Sequence, residues 1–213
     1  MILTDFDGTL VEKLDPRNPL HWRRNVLKTG LEEIEGWQDF FQGALSIPGI
    51  TMGGVVSRRP DIGIRRRATE KFLAGTILDQ PETEVALTGS EVAKARYIVD
   101  VAIANGWMIA TGMVEDMPQR LVPELIKQFA LREVDQGHKP SLLIAAVNSP
   151  HLYERIGKAI DRVKAMEDPN ISCRMGAGAA RFSSPQATID VVPLRIYSKS
   201  IGEGFGNALY DNQ

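Results

Sequence analysis

MILTDFDGTL, residues 1–10, is the stretch that decides the fold of this chain. Residues 1–4 form a short apolar run, which is typical of a buried strand in a parallel sheet. Asp5 and Asp7 follow directly, one residue apart, where such a strand ends. Two carboxylates this close repel each other, and a buried strand end offers them little water. The arrangement therefore costs folding free energy unless a cation or a substrate uses it.

Composition limits the class of protein. Of the 213 residues, 43% are hydrophobic and 24% charged, which is ordinary for a globular chain. A net charge of -2 gives no overall attraction to nucleic acid or to a membrane surface. The single cysteine, Cys173, excludes an intrachain disulfide framework and fits a reducing compartment. No signal peptide is visible and the longest apolar runs are too short to span a bilayer, so we expect a cytoplasmic protein with no membrane partner.

Apolar runs alternate with segments of helical period along most of the chain. The pattern predicts strands at 1–4, 52–56, 84–87, 107–111 and 141–147, and helices at 32–45, 61–75, 90–106, 117–131 and 151–166. Strand alternating with helix predicts an α/β fold with a doubly wound parallel sheet and right-handed crossovers.

A change in texture after the fifth strand predicts two units, a core over 1–150 and a small C-terminal α+β extension over 151–213. Two further strands are expected in the extension, and the glycine-rich stretch GEGFGNA (202–208) is expected to be a turn or tail, because no strand–helix context surrounds it. The extension either completes the sheet, covers the site or forms a dimer contact.

Polar side chains arrive in order at one edge of the predicted sheet. After the first aspartates, Ser57 ends the second strand, Lys94 lies near the start of the helix that enters strand four, and Glu115 and Asp116 come just after that strand. Function gathers at the carboxyl ends of strands in such sheets. These residues are therefore candidates for one site.

Each candidate also has a plain structural interpretation. A turn or a helix cap is the plain explanation of the two aspartates after strand one, although D-x-D-G-T at a strand end disfavours it, and an ordinary loop is the plain explanation of Ser57. Lys94 is explained by a solvated helix face, with Lys71 or Arg96 as rivals for its role. The acidic pair is explained by favourable charge at a helix N-terminus.

The order and spacing of these motifs resemble the four motifs of the haloacid dehalogenase superfamily of phosphohydrolases. The resemblance covers about residues 1–135 and rests chiefly on DFDGTL, since an apolar run followed by D-x-D-G-T-L is specific. Ser57 and Lys94 are single-residue matches supported by order and spacing. The fourth motif departs from the common G-D-x-x-x-D form, because Met113 follows Gly112, and is closer to the variant with adjacent acids.

The resemblance implies a phosphatase that depends on Mg²⁺ and forms an aspartyl-phosphate. Asp5 would be the nucleophile and Asp7 the general acid and base. The implied metal ligands are Asp5, the backbone carbonyl of Asp7, and Asp116, with Glu115 as the second choice. The implied phosphate-binding residues are Ser57, Lys94, Thr9 and Gly8.

The spacing of the motifs leaves room for no inserted cap domain, only for a flap within 11–31, so we expect an essentially capless enzyme. Five arginines follow the serine in SRRPDIGIRRR, of which Arg58 and Arg59 are the candidates for substrate contact. A solvated basic helix face explains them equally well. The expected partner is a small phosphorylated substrate, a nucleotide among the options, and a homodimer is open. The alternatives are a non-catalytic phosphate-binding or scaffold protein and a nucleic-acid end-processing phosphatase.

Overall fold

The structure of the chain, a computed structural model, describes residues 1–12, 32–105, 110–134, 137, 139–147, 150–176 and 179–211. The strands are β1 (Ile2–Thr4), β2 (Met52–Ser57), β3 (Glu84–Leu87), β4 (Thr111–Glu115), β5 (Ser141–Ala146), β6 (Ser172–Met175), β7 (Ala180–Ser183) and β8 (Thr188–Pro193). The helices are α1 (Trp37–Leu45), α2 (Gly63–Leu73), α3 (Glu91–Asn105), α4 (Pro118–Ala130), α5 (Leu152–Lys164) and α6 (Lys199–Asp211). None of these helices has the length and apolar character needed to cross a membrane.

The eight strands of the described ranges form one sheet in the order β3-β2-β1-β4-β5-β8-β7-β6. The pairings from β3 through to β8 are parallel, and β7 and β6 add an antiparallel hairpin at one edge. Strand order reverses between β1 and β4, and open α/β sheets bind ligands outside the carboxyl ends of the strands at this point. The prediction of an α/β chain with a largely parallel, Rossmann-like sheet is confirmed.

Helices cover both faces of the sheet, which explains why the parallel strands are apolar on both sides. On one face, α3, α4 and α5 pack around residues such as Ile98, Leu125 and Ile156. On the other, α1, α2 and α6 pack around Phe40 and Phe205. The sheet is therefore wound with helices on its two sides.

The predicted turn or tail at 202–208 is wrong, because these residues lie inside α6. Glycine weakens a helix, but here it permits backbone-to-backbone packing between α6 and α1. A Cβ on Gly202 would lie 1.9 Å from the carbonyl oxygen of Phe40, and one on Gly43 would lie 2.0 Å from that of Lys199. Close packing of the two helices outweighs the low helix propensity.

The fourth strand begins later than predicted. We expected it at 107–111, but β4 runs from Thr111 to Glu115, and 106–109 lie outside the described residues. Glycine ordinarily weakens a strand, yet Gly112 lies within β4, where a Cβ would approach Leu209 of α6 to 2.7 Å. Glu115 is consequently the last residue of the strand, and Asp116 is the first residue after it.

The C-terminal segment contributes three strands to the same sheet, with β8 directly beside β5. It also contains the helices α5 and α6. The division at residue 150 stays a prediction. Between Ser57 and Lys94 the chain forms α2, β3 and connecting turns. The predicted flap falls at 11–31, of which 13–31 lie outside the described residues.

Candidate functional site

The DFDG segment forms a tight turn at the carboxyl end of β1. The amide of Asp5 extends the ladder by donating to the carbonyl oxygen of Val114 in β4, at 2.9 Å. The chain then turns back, and the carbonyl oxygen of Phe6 accepts hydrogen bonds from the amides of Leu10 and Val11 at 3.0 and 3.2 Å. The ring of Phe6 is fully buried. Asp5 is thereby placed at the reversal of strand order.

Gly8 is required by this turn for two reasons. Its φ of +83° lies in the left-handed region, which side chains rarely adopt. A Cβ at this position would also lie 2.6 Å from Oδ2 of Asp116. The residue predicted to bind phosphate thus has a clear structural role: it lets the turn after β1 approach the carboxylate that follows β4.

Three buried carboxyl groups meet beside this turn: Asp5, Glu115 and Asp116. One ligand oxygen from each lies within 4.8 Å of the others. Each residue is no more than 3% exposed. Glu115 Oε1 accepts a hydrogen bond from the amide of Met117 at 2.8 Å, which fixes its orientation. Three of the four predicted acids are therefore brought together, with both members of the acidic pair in the same cluster.

Lys94 supplies a cation to this cluster from the first turn of α3. Its side chain is fully buried, with Nζ 2.7 Å from Asp5 Oδ1 and 2.5 Å from Glu115 Oε2. Among Lys71, Lys94 and Arg96, Lys94 is the one whose side chain contacts these carboxylates, while its role toward phosphate stays a prediction. The solvated-face alternative for this lysine does not hold.

The cluster has more carboxyl groups than one ammonium group balances. Burial alone would lower the pKa of Lys94, but the carboxylates of Asp5 and Glu115 outweigh burial and raise it above its usual value. The pKa of Asp5 is raised well above its usual value, first by burial and then by Glu115 and Asp116, although Lys94 acts in the opposite direction. The lysine stays charged, and the residual negative charge suits either a proton or a cation.

The donor set is compatible with Mg²⁺. All three donors are carboxylate oxygens, which this ion prefers, and they converge from the ends of two adjacent strands. Three carboxylates face the ammonium group of Lys94 and, 3.7 Å from Asp116, the guanidinium of Arg155, so an excess of negative charge remains that a divalent cation would offset.

Asp7 lies apart from the carboxylate cluster, on the more open side of the turn. Its side chain is 29% exposed, against 4% for Asp5. Arg59 holds both of its oxygens, with Nε 2.8 Å from Oδ2 and Nη2 2.5 Å from Oδ1. The hydroxyl of buried Ser57 donates to Oδ2 at 3.3 Å. The structure thus brings Ser57 and Arg59 to Asp7, the residue predicted to be the general acid.

Two residues at this edge were missed by sequence reasoning. Arg155, near the start of α5, donates to the backbone carbonyl of Asp116, and its Nη1 lies 3.7 Å from Oδ2. The hydroxyl of Tyr197, just beyond β8, donates to the carbonyl oxygen of Thr9 at 2.9 Å. Burial raises the pKa of Tyr197 well above its usual value, and the three carboxylates add to this. The available signal was that both follow the carboxyl end of a parallel strand.

Thr9 and the arginines after Ser57 were also predicted to contact phosphate or substrate. Thr9 is fully buried, and its hydroxyl has no hydrogen-bond partner within the described part of the chain. Arginines of SRRPDIGIRRR are ion-paired with carboxylates at three positions: Arg58 with Glu91, Arg59 with Asp7, and Arg66 with Asp61. Pairing reduces the positive field that this segment offers to a polyanion.

Comparison with known proteins gives no relative. No protein-family model matches the chain, and no curated protein or solved structure matches it either. The site is therefore interpreted from its own residues.

Proposed function

We propose that this chain is a Mg²⁺-dependent phosphomonoesterase of the haloacid dehalogenase type that forms an aspartyl-phosphate on Asp5. The observation that carries the proposal is the meeting of Asp5, Lys94 and the acidic pair at the reversal of strand order. The cost of burying three carboxyl groups together is understandable if the site binds a cation and an anion in turn.

In the proposed reaction, a carboxylate oxygen of Asp5 attacks phosphorus while the bond to the leaving oxygen breaks. Asp7 gives its proton to the leaving oxygen, and later takes a proton from the water that hydrolyses the acyl-phosphate and regenerates Asp5. When bound by the carboxylate cluster, Mg²⁺ supplies positive charge that offsets the repulsion between Asp5 and a phosphate dianion. Positioning of Asp7 on the open side of the turn suits contact with the leaving group.

Lys94 and Ser57 have supporting roles in the proposal. The ammonium group of Lys94 touches the nucleophile, so it is placed to neutralise charge on the phosphoryl oxygens near Asp5. The hydroxyl of Ser57 lies beside Asp7 and offers a donor to the same phosphoryl group. Both side chains are buried, which strengthens their electrostatic effect.

A second candidate function is phosphate binding without turnover. It is favoured by the engagement of both Asp7 oxygens by Arg59, which in this conformation keeps the proposed acid from a leaving group. A phosphate-binding protein needs the cation and the donors but no available acid.

The test is phosphate release from a panel of phosphomonoesters that includes nucleotides, sugar phosphates and a 5′-phosphorylated oligonucleotide, with and without Mg²⁺. We expect metal-dependent turnover that Asp5→Asn abolishes. Asp161→Asn, a substitution at an exposed aspartate of α5, should keep it. Turnover that survives Asp5→Asn would refute the nucleophile. Phosphate binding without release of product from any ester would favour the second candidate, and a preference for the oligonucleotide would favour end processing.

A further inference from the structure

Arg59 is placed differently from the other arginines of its segment. Its fork binds both oxygens of Asp7, and its guanidinium carbon lies 4.8 Å from the centre of the Phe6 ring, the residue between the two aspartates. Its backbone amide donates to the hydroxyl of Ser57 at 3.2 Å. The side chain is only 14% exposed. Arg59 is thus anchored at both ends inside the candidate site.

Three hydrogen bonds from Arg59 and Ser57 engage the carboxylate of Asp7. Both of its oxygens accept hydrogen bonds from Arg59, and one of them also accepts from Ser57. A leaving oxygen would compete with Arg59 and Ser57 for this carboxyl group. The arrangement therefore has to change before Asp7 acts on a substrate.

A phosphate monoester is the ligand that would displace Asp7 from Arg59. The guanidinium fork matches a carboxylate and a phosphate with the same geometry, and the phosphate dianion carries twice the charge of Asp7. An oxyanion bound beside Ser57 would lie within reach of the guanidinium, since that serine hydroxyl contacts both the Arg59 amide and Asp7.

We propose that Arg59 is a substrate clamp that exchanges Asp7 for an oxyanion of the phosphomonoester, so that substrate binding itself releases Asp7 toward the leaving group. This inference rests on the proposed function of the site and adds to it the residue that recognises the phosphate. Arg58 lacks this placement, because it pairs with Glu91 outside the turn.

The first test measures the affinity of inorganic phosphate by calorimetry in the presence of Mg²⁺. Removing the fork in Arg59→Ala should weaken binding about 10- to 100-fold, the usual range for hydrogen bonds to a charged group. Arg59→Lys keeps the charge but loses the fork, so its phosphate affinity should lie between those of Arg59→Ala and the wild type. Arg181→Ala is the matched control. Arg181 forms the same two-bond pair with Asp190, at 2.7 and 2.8 Å, on β7 and β8, and its loss should leave phosphate affinity unchanged.

The second test follows the arginine Nε–H signals by NMR, with the Arg59 signal identified by its absence in Arg59→Lys. Saturating phosphate should shift the Arg59 signal and leave that of Arg181 in place. An unchanged Arg59 signal, or equal phosphate affinity in wild type and Arg59→Ala, would show that Arg59 is only a structural partner of Asp7. Absence of phosphate binding to the wild type would also overturn the clamp.

These outcomes separate the clamp from the proposed function. Metal-dependent turnover with an Arg59→Ala protein that binds phosphate normally would reject the clamp alone. Phosphate binding that depends on Arg59, in a protein that hydrolyses no ester, would keep the clamp and reject the enzyme.

Discussion

Replacing Lys94 by methionine should destabilise the protein strongly, because it leaves buried carboxyl groups without their cation. Nζ of Lys94 is fully buried and lies 2.7 Å from Asp5 and 2.5 Å from Glu115. Removing one partner of a buried ion pair typically costs about 3–5 kcal/mol. For a chain of this length, that corresponds to a fall in Tm of about 6–20 °C. Methionine matches the volume of lysine, so lost packing contributes little.

The assay is urea unfolding with a chelator present, on wild type, Lys94→Met and Lys158→Met. Lys158 is the matched control, because its Nζ also lies 2.5 Å from a carboxylate, that of Glu154, but its side chain is 58% exposed. We expect no resolvable change there, since exposed pairs contribute little. Mg²⁺ should restore part of the stability of Lys94→Met if it binds the cluster.

A triple variant tests the electrostatic reason directly. Adding Asp5→Asn and Glu115→Gln to Lys94→Met removes the two carboxylates that the lysine contacts. This should recover most of the lost stability, since the carboxylate that stays in the cluster, that of Asp116, lies 3.7 Å from the guanidinium of Arg155. A triple variant no more stable than Lys94→Met, or a loss at Lys94 as small as that at Lys158, would refute the reasoning.

Three further predictions follow from the same structure. Gly8→Ala should destabilise by about 1–3 kcal/mol in urea unfolding, because it combines a φ of +83° with a Cβ 2.6 Å from a carboxylate oxygen; a cost below 0.5 kcal/mol would contradict the geometry. Without metal, the raised pKa of Asp5 means that the folded state holds its proton more tightly than the unfolded chain, so this group's contribution to stability is lost as pH rises from about 4 toward the raised pKa. Unfolding curves across this range should show that loss in wild type and not in Asp5→Asn, and Mg²⁺ should reduce it. Gly202→Ala should destabilise by about 1–3 kcal/mol and Gly204→Ala should not, because a Cβ at the first would lie 1.9 Å from a carbonyl oxygen of α1 and one at the second would meet nothing within 4 Å; equal thermal shifts for the two variants would exclude tight packing as the cause.

Much of the sheet was predictable because its signals are local. Apolar runs of four to seven residues between helical-period segments located β1, β2, β3 and β5 closely. The same signal failed at β4, where Gly112 lies inside the strand because α6 packs directly against it. It failed again at 202–208, where glycines serve contact with α1 rather than a turn. Both errors arise from packing against a helix distant in sequence.

The sequence predicted which residues form the candidate site better than it predicted which of them contact each other. Asp5, Lys94 and the acidic pair were expected at one sheet edge, since the carboxyl ends of parallel strands meet there. The contacts were not expected: Lys94 pairs with Glu115, and Gly8 leaves space for the carboxylate of Asp116. Neither arrangement has a sequence pattern. Arg155 and Tyr197 had no local signal beyond following a strand.

By itself, the sequence determined the alternation of strands and helices, the two aspartates after β1 and the order in which polar residues reach one edge. These depend on hydrophobic period and on turn chemistry, which act over a few residues. Only the tertiary structure decided which polar groups meet: Arg59 with Asp7 across 52 residues, Lys94 with Glu115 across 21, and the hydroxyl of Tyr197 with the backbone of Thr9 across 188. The reason is physical. A buried charge gains or loses free energy according to the partner that packing brings within about 3 Å, and packing is a property of the whole chain.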